Sequence, residues 1–199
     1  MTTTFFLLRH AAHDNVGSSL AGRRPGVHLS EAGRAQAERL GQRMRRERFV
    51  AIHTSPRERA QETAAPVAAA AAVDNVIVEA ALDEVDFSGW TGKDFATLAT
   101  DPAWRRWNAA RSLARTPGGE SMLDVRCRAM HLMERLAGLH AEAALVFVSH
   151  AEVIRAIVCH VLGLSSDAWN RFDIGPASIS TVVAGDWGAR VLTLNEAVA

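Results

Sequence analysis

Short apolar runs alternate with amphipathic helical segments along most of this 199-residue chain. The apolar runs predict strands at residues 4–8 (TFFLL), 51–53, 76–78 and 144–148 (ALVFV). Apolar residues at helical spacing predict helices at residues 31–47, 57–72, 122–139 and 152–162. This alternation predicts an α/β fold, a three-layer sandwich whose central, mostly parallel sheet is covered by helices on both faces.

The C-terminal part of the chain adds one antiparallel strand to this scheme. The segments ASISTVVAG and RVLTL flank the turn sequence GDWG, which predicts a β-hairpin. Residues 95–113 carry Trp104 and Trp107, three positions apart, and predict a helical insertion at about 93–116 whose tryptophans pack in the core or a lid. A chain of this length is most simply one domain, and we expect it to span residues 1–199.

Charge and cysteine content argue against several classes of function. The 22 Lys and Arg residues balance 22 Asp and Glu residues, which is unlike a nucleic-acid-binding surface. Cys127 and Cys159 form neither a disulfide framework nor a metal-binding pattern. No apolar stretch approaches transmembrane length, and the N-terminus MTTTFFLLRH lacks the pattern of a signal peptide. We therefore expect a cytoplasmic protein with no nucleic-acid or membrane partner.

Similar polar residues follow two of the predicted strands. Arg9 and His10 come after FFLL, and His150 comes one residue after LVFV. In open α/β sheets, ligands bind beyond the carboxyl ends of the strands. These side chains are therefore predicted to share one site.

A third cationic group is placed by a predicted helix start. Ser55-Pro56-Arg57-Glu58 has the pattern of a helix N-terminus capped by Ser55, which puts Arg59 in the first turn. Helix N-termini attract anions, and arginine forks bind phosphate oxygens in pairs. Arg9, His10, Arg59 and His150 are therefore predicted to form a cationic cup for a phosphate dianion. The chain has no Walker loop and no dinucleotide fingerprint, so the chemistry must be of another kind.

Five motifs in the same order resemble those of the histidine phosphatase superfamily, also called phosphoglycerate mutase-like. The family's Arg-His-Gly, Ser-x-x-x-Arg-Ala-x-x-Thr-Ala, Leu-x-Glu-x-x-Phe-Gly-x-Trp-x-Gly, pre-helix loop and Ser-His-Gly are matched by Arg9-His10-Ala11, Ser55–Ala64, Leu82–Gly92, Pro117–Ser121 and Ser149-His150-Ala151. The similarity runs over essentially the whole chain. Ala11, Ala151 and Ser88 stand where the family has glycine. An L side chain is strained there if the glycine is needed for a positive φ, and tolerated if it only permits close approach.

The resemblance implies a role for each residue of the site. His10 is the expected nucleophile, Arg9 and Arg59 the phosphate ligands, and His150 a second phosphate-contacting histidine, charged in its preferred form. Glu84 is the expected proton donor, with Asp86 and then Asp83 as weaker choices. No metal and no cofactor is required, because guanidinium and imidazolium groups supply the charge. Arg23, beside Arg24 in GRRPG, is a candidate contact for the distal part of the substrate, although solvent exposure is expected for at least one of the pair.

The resemblance also implies an activity with two alternatives. Mutases of the superfamily usually carry a longer insertion after the glutamate and a C-terminal lid, whereas here the insertion is moderate and the chain stops soon after Leu192–Asn195. We therefore expect a metal-independent phosphomonoester hydrolase that acts on a small phosphorylated metabolite through a phosphohistidine on His10. The first alternative is a phosphoglycerate mutase. The second is a catalytically weak, phosphate-binding regulatory protein.

Overall fold

A six-stranded sheet forms the centre of the computed structural model, which describes residues 2–198. The strands are β1 (Thr2–Arg9), β2 (Ala51–Thr54), β3 (Val76–Val78), β4 (Ala144–Ser149), β5 (Ile179–Gly185) and β6 (Gly188–Glu196). Their order across the sheet is β3-β2-β4-β1-β5-β6. The first four strands in this order run parallel, and β5 is antiparallel to both of its neighbours. The predicted mostly parallel sheet with one antiparallel strand is confirmed.

Helices cover both faces of this sheet. They are α1 (Glu31–Met44), α2 (Glu58–Ala71), α3 (Phe95–Thr100), α4 (Pro102–Ala109), α5 (Met122–Leu139) and α6 (Ala151–Val161). Phe5 and Leu7 of β1 lie in a core cluster with α5 and α6, whereas Phe6 and Leu8 lie in a second cluster with α1 and α2. This alternation follows from the two-residue period of a strand and confirms the three-layer sandwich. None of the helices within residues 2–198 combines the length and the apolar character needed to cross a membrane.

Helices α3 and α4 lie in the segment where the sequence predicts a helical insertion. Trp104 and Trp107 of α4 pack against Trp90, with ring centroids 5.2 Å and 6.3 Å from it. Trp107 is almost completely buried, as expected for a core tryptophan. The single-domain organisation over residues 1–199 stays a prediction.

The start of α2 differs from the sequence-based expectation. The helix begins at Glu58 after Arg57, and no side chain caps it, so the predicted capping by Ser55 is wrong. The hydroxyl of Ser55 accepts a hydrogen bond from the backbone N–H of Arg57 at 3.2 Å and also contacts His150. Arg59 nevertheless lies in the first turn of α2, as the spacing predicts.

The carboxyl ends of three parallel strands meet at one level of the sheet. β4 lies between β1 and β2, and its Val148 pairs with Leu8 on one side and Thr54 on the other. The residues that follow these strands therefore emerge side by side. The pairing of these three strands brings together the segments that begin at Arg9, Ser55 and Ser149.

Candidate active site

His10 follows β1 and is almost completely buried, with 3% of its surface exposed. Its backbone N–H donates to the carbonyl oxygen of Ser149 at 2.9 Å, which ties the loop to β4. The Nδ1 atom lies 2.8 Å from the carbonyl oxygen of Ala11, and only a protonated Nδ1 can donate there. In that tautomer the lone pair is on Nε2. Nε2 is therefore the ring nitrogen of His10 that can act as a nucleophile.

Arg59 of α2 meets both histidines of the cationic cup. Its Nε lies 3.4 Å from Nε2 of His10, and its Nη2 lies 3.2 Å from Nδ1 of His150. Nη2 also donates to the carbonyl oxygen of Gly22 at 2.8 Å. Nη1 is buried and has no hydrogen-bond partner among residues 2–198. The side chain is thus held in place while one of its donors stays uncommitted.

Thr63, one turn further along α2, joins this helix to the loop that carries His10 and Ala11. Its hydroxyl donates to the carbonyl oxygen of Arg59 at 2.7 Å and accepts from the backbone N–H of Ala11 at 3.0 Å. The sequence analysis assigned no role to Thr63. The available signal was its place in the Ser55–Ala64 motif.

His150 is fully buried at the start of α6, where it is the N-cap residue. Its Nε2 lies 2.7 Å from the hydroxyl of Ser55, and its Nδ1 faces Arg59. Because a guanidinium can only donate, Nδ1 accepts, and the Nε2–H therefore donates to Ser55. The ring centroids of His150 and His10 are 5.1 Å apart. The two imidazoles that the sequence placed at equivalent strand exits are brought together.

Glu84 is the acidic side chain that reaches the cup. Its Oε2 lies 3.6 Å from Nδ1 of His150, and its side chain is 13% exposed. Asp83 is engaged elsewhere, because its carboxylate pairs with Arg57 at 2.9 Å and with Arg23 at 3.4 Å. Asp86 accepts from the backbone N–H of Ser88 at 2.9 Å. Of the three carboxylates considered, Glu84 is the one in contact with His150.

Arg9 extends from the end of β1 beside this group. Its Nη1 donates to the carbonyl oxygen of Ile174 at 2.6 Å. Its Nε is buried without a hydrogen-bond partner among residues 2–198. Like Arg59, it is anchored by one donor and keeps another uncommitted.

Arg23 lies against the segment that carries Glu84. Its Nε donates to the Glu84 carbonyl oxygen at 2.7 Å, and its Nη2 donates to Glu120 at 2.9 Å. Arg128 of α5, which the sequence analysis did not single out, donates to the same carbonyl oxygen at 3.2 Å and to Glu120. The two arginines therefore hold the backbone at Glu84, and both of them pair with the carboxylate of Glu120. A contact between Arg23 and the substrate stays a prediction.

Burial sets the protonation of the three ionisable groups. It lowers the pKa of His10 and of His150 well below the ordinary 6.5, and the Arg59 guanidinium lowers both further. His150 is therefore neutral, unlike the charged form expected from the sequence. Burial raises the pKa of Glu84 to about 7, although Arg59 opposes the shift. The site thus pairs a neutral imidazole at His10 with a carboxyl group at Glu84 whose pKa is close to neutrality.

The three residues that replace family glycines have different backbone conformations. Ser88 has a φ of 43°, whereas neither Ala11 nor Ala151 is among the non-glycine residues of 2–198 with positive φ. The two alanines beside the histidines therefore need no left-handed conformation. No group of three or more His, Cys, Asp and Glu side chains within residues 2–198 is arranged to hold a metal ion.

This chain is similar to several known proteins in sequence and in fold. A sequence model of the histidine phosphatase superfamily (branch 1) matches residues 5–197. Phosphoserine phosphatase 1 of Hydrogenobacter thermophilus is 31% identical over 169 residues, which cover 84% of this chain and 80% of that protein. A probable phosphoglycerate mutase, GpmB of Proteus mirabilis, is 29% identical over 180 residues, covering 89% of this chain and 83% of that protein.

A solved structure has the same fold. Mycobacterial glucosyl-3-phosphoglycerate phosphatase Rv2419c superimposes with a TM-score of 0.88 and 25% sequence identity, over 98% of this chain and 100% of that chain. The chain spans about half the length, 49%, of mycobacterial relatives that are 34% identical to it.

Proposed function

This chain belongs to the histidine phosphatase superfamily, and from that premise we propose that it hydrolyses phosphomonoesters of a small phosphorylated metabolite through a phosphohistidine on His10. The observation that carries the proposal is the contact of the Arg59 guanidinium, at 3.4 Å, with a neutral Nε2 of His10. A neutral imidazole beside two arginines combines a nucleophile with the charge needed to bind a phosphate dianion.

In the first chemical step, the lone pair on Nε2 of His10 attacks phosphorus in line with the bond to the leaving oxygen. A P–N bond forms as the P–O bond breaks, and the leaving oxygen takes a proton from the carboxyl group of Glu84. A pKa of about 7 keeps that proton available near neutrality. The carbonyl oxygen of Ala11 stabilises the positive charge that develops on the ring through its contact with Nδ1.

In the second step, the Glu84 carboxylate takes a proton from a water molecule that attacks the phosphorus. The P–N bond breaks, and its electron pair returns to Nε2 of His10. The products are inorganic phosphate, a regenerated imidazole and a reprotonated Glu84. The same side chain therefore serves as acid and then as base.

Arg9, Arg59 and His150 supply the charge that binds the phosphoryl oxygens. The uncommitted Nε of Arg9 and Nη1 of Arg59 support this role, since a phosphate oxygen would satisfy each of them. A bound dianion also favours the protonated form of His150, which then adds another donor. Charge spread over the equatorial oxygens in the transition state is stabilised in this way.

The proposed substrate class rests on one relative in sequence and one in structure. One is named phosphoserine phosphatase 1 and another glucosyl-3-phosphoglycerate phosphatase, and both names describe a small phosphorylated metabolite. We extend that class to this chain. A cytoplasmic location and the absence of a nucleic-acid partner stay predictions.

Release of inorganic phosphate from 4-nitrophenyl phosphate, phosphoserine, 3-phosphoglycerate and glucosyl-3-phosphoglycerate tests the proposal directly. We expect turnover by the wild type, none by His10→Ala, and normal turnover by His131→Ala, which removes an exposed histidine of α5. Hydrolysis that survived His10→Ala unchanged would defeat the assignment. Wild type inert on the whole panel would favour the regulatory alternative.

The mutase alternative is supported by the similarity to a probable phosphoglycerate mutase. Incubation with 3-phosphoglycerate and 2,3-bisphosphoglycerate separates the two activities. Free phosphate in excess over 2-phosphoglycerate supports the hydrolase, and isomer in excess supports the mutase.

A further inference from the structure

His13 lies three residues after His10 and is not used by the mechanism above. Its side chain is largely buried, with 8% of the residue exposed. Its ring centroid lies 5.5 Å from that of His10, with an angle of 30° between the ring planes. The backbone carbonyl of His13 accepts from the N–H of Val16 at 3.0 Å, which closes a turn.

The imidazole of His13 has an unsatisfied buried nitrogen. Its side chain forms no hydrogen bond with any residue of 2–198, and its Nδ1 is buried without a partner. Buried polar groups in folded proteins are almost always hydrogen-bonded, because an unsatisfied one costs about 1–3 kcal/mol. An orphaned nitrogen in a site that binds an anion therefore points to an atom of the ligand.

His13 shares this property with the two arginines of the cationic cup. The Nε of Arg9 and the Nη1 of Arg59 are also buried without partners among the described residues. The charges of Arg59 and Arg9 lower the pKa of His13 as they lower that of His10. A phosphoryl group that is being transferred from the substrate oxygen to the histidine nitrogen has three equatorial oxygens. Their number equals that of the three uncommitted donors.

The stacked geometry decides which atom of the substrate His13 can meet. In an in-line displacement the leaving oxygen lies opposite the attacking nitrogen. The His13 ring is stacked with the His10 ring, so it would lie on the nucleophile's side of a phosphorus atom attacked by Nε2 of His10. It is therefore placed for an equatorial phosphoryl oxygen and not for the leaving oxygen, which Glu84 protonates.

We propose that His13 is a further catalytic residue of this site, and that its Nδ1–H donates to a non-bridging oxygen of the phosphoryl group attacked by His10. The inference rests on the proposed function, since it requires a phosphoryl group on His10. Burial, with the charge of Arg59 next, lowers the pKa of His13 to about 4, so the ring donates in its neutral form.

Inhibition by orthovanadate, an analogue of the transferring phosphoryl group, tests the donor role in the full-length protein. His13→Phe keeps an aromatic ring against His10 but removes the donor, and His13→Asn removes the ring but keeps an N–H close to the position of Nδ1. His131→Phe is the matched control on an exposed histidine. Thermal unfolding of each variant verifies that it is folded.

We expect His13→Phe to raise the inhibition constant of orthovanadate about 10- to 100-fold, the usual effect of losing one hydrogen bond to a charged group. His13→Asn should keep most of the affinity, and His131→Phe all of it. Wild-type affinity in His13→Phe would overturn the inference, as would equal losses in both His13 variants, which would mean that the ring matters and the donor does not. The wild type serves as a separate test, because failure to bind orthovanadate there would refute the proposed function itself.

Discussion

The hydroxyl of Ser55 and Nε2 of His150 lie 2.7 Å apart, although 95 residues separate them in the chain. Both side chains are completely buried. The contact fixes the tautomer and the orientation of the imidazole. Ser55 therefore acts on the site through His150.

Ser55→Ala leaves the Nε2–H of His150 buried without an acceptor. We expect the free energy of unfolding to fall by about 1–3 kcal/mol, the usual cost of an unsatisfied buried group. We also expect kcat/KM to fall, because the imidazole is free to rotate. Urea denaturation and steady-state kinetics measure the two effects. The exposed Ser18→Ala is the control, and a variant as stable and active as wild type would contradict the role assigned to Ser55.

Glu84→Gln removes the proton donor without removing a polar side chain. The expected loss of kcat is roughly 100- to 10,000-fold for alkyl phosphates, the range typical of general acid catalysis. The loss should be much smaller for aryl phosphates with acidic leaving groups, which need no proton. A series of substituted phenyl phosphates measures this dependence. Asp86→Asn is the matched control, and equal losses for all leaving groups would exclude the acid role.

The pH profile of kcat/KM should show a limb that belongs to Glu84. Its pKa of about 7 lies above the usual 4.5, so the carboxyl group is protonated and able to donate below that pH. Activity is therefore expected to fall as the pH rises through about 7. Rate measurements between pH 5 and pH 9 locate this limb. It should be absent in Glu84→Gln, and its survival there would assign it to another group.

The stability of the protein should decrease on mild acidification. His10 and His150 have folded-state pKa values well below 6.5, so the unfolded chain binds more protons than the folded one once the pH falls below 6.5. The destabilisation caused by these two histidines is absent at higher pH and grows as the pH is lowered. Urea midpoints measured from pH 7.5 downwards follow this trend. His150→Gln should weaken the dependence, and an unchanged slope would show that His150 does not contribute.

Substitution by glycine should change the stability of the protein in opposite directions at Ser88 and at Ala151. Ser88 has a φ of 43°, a conformation that costs an L residue about 1 kcal/mol, so Ser88→Gly should stabilise the protein by up to that amount. Ala151 is the first residue of α6, where glycine costs about 0.5–1 kcal/mol in conformational entropy. Urea denaturation compares the two. Destabilisation by Ser88→Gly would mean that the serine side chain makes a contribution larger than the strain.

The strands were predictable because their signal is local. Residues 4–8 and 144–148 are apolar on both faces, as expected for strands covered by helices on two sides, and the structure extends them by only a few residues. The long helix α5 was predicted with the same bounds as observed, since its apolar spacing is regular. The mostly parallel strand directions and the terminal hairpin also followed from the pattern, whereas the order of the strands across the sheet was not predicted.

The contacts that orient the side chains of the site could not be predicted from local sequence patterns. The Ser-Pro-Arg-Glu pattern is a good capping signal, and Ser55 was wrongly assigned to it because its partner is distant in sequence. Thr63 and Arg128 connect segments 52 and 44 residues away, respectively, and no spacing rule reports such pairs. The positive φ of Ser88 and the neutral state of His150 depend on the folded surroundings alone.

The sheet order has a consequence for how the protein acquires its chemistry. β1 pairs with β4 and β5 and is not adjacent to β2, so the backbone hydrogen bonds of the strand that carries His10 are made with residue 143 and with residues beyond it. Contacts of such long sequence separation form late and slowly in folding. We therefore expect a nascent or truncated chain that carries His10 but lacks β4 and β5 to bind no oxyanion, so that oxyanion binding would report assembly of the whole sheet.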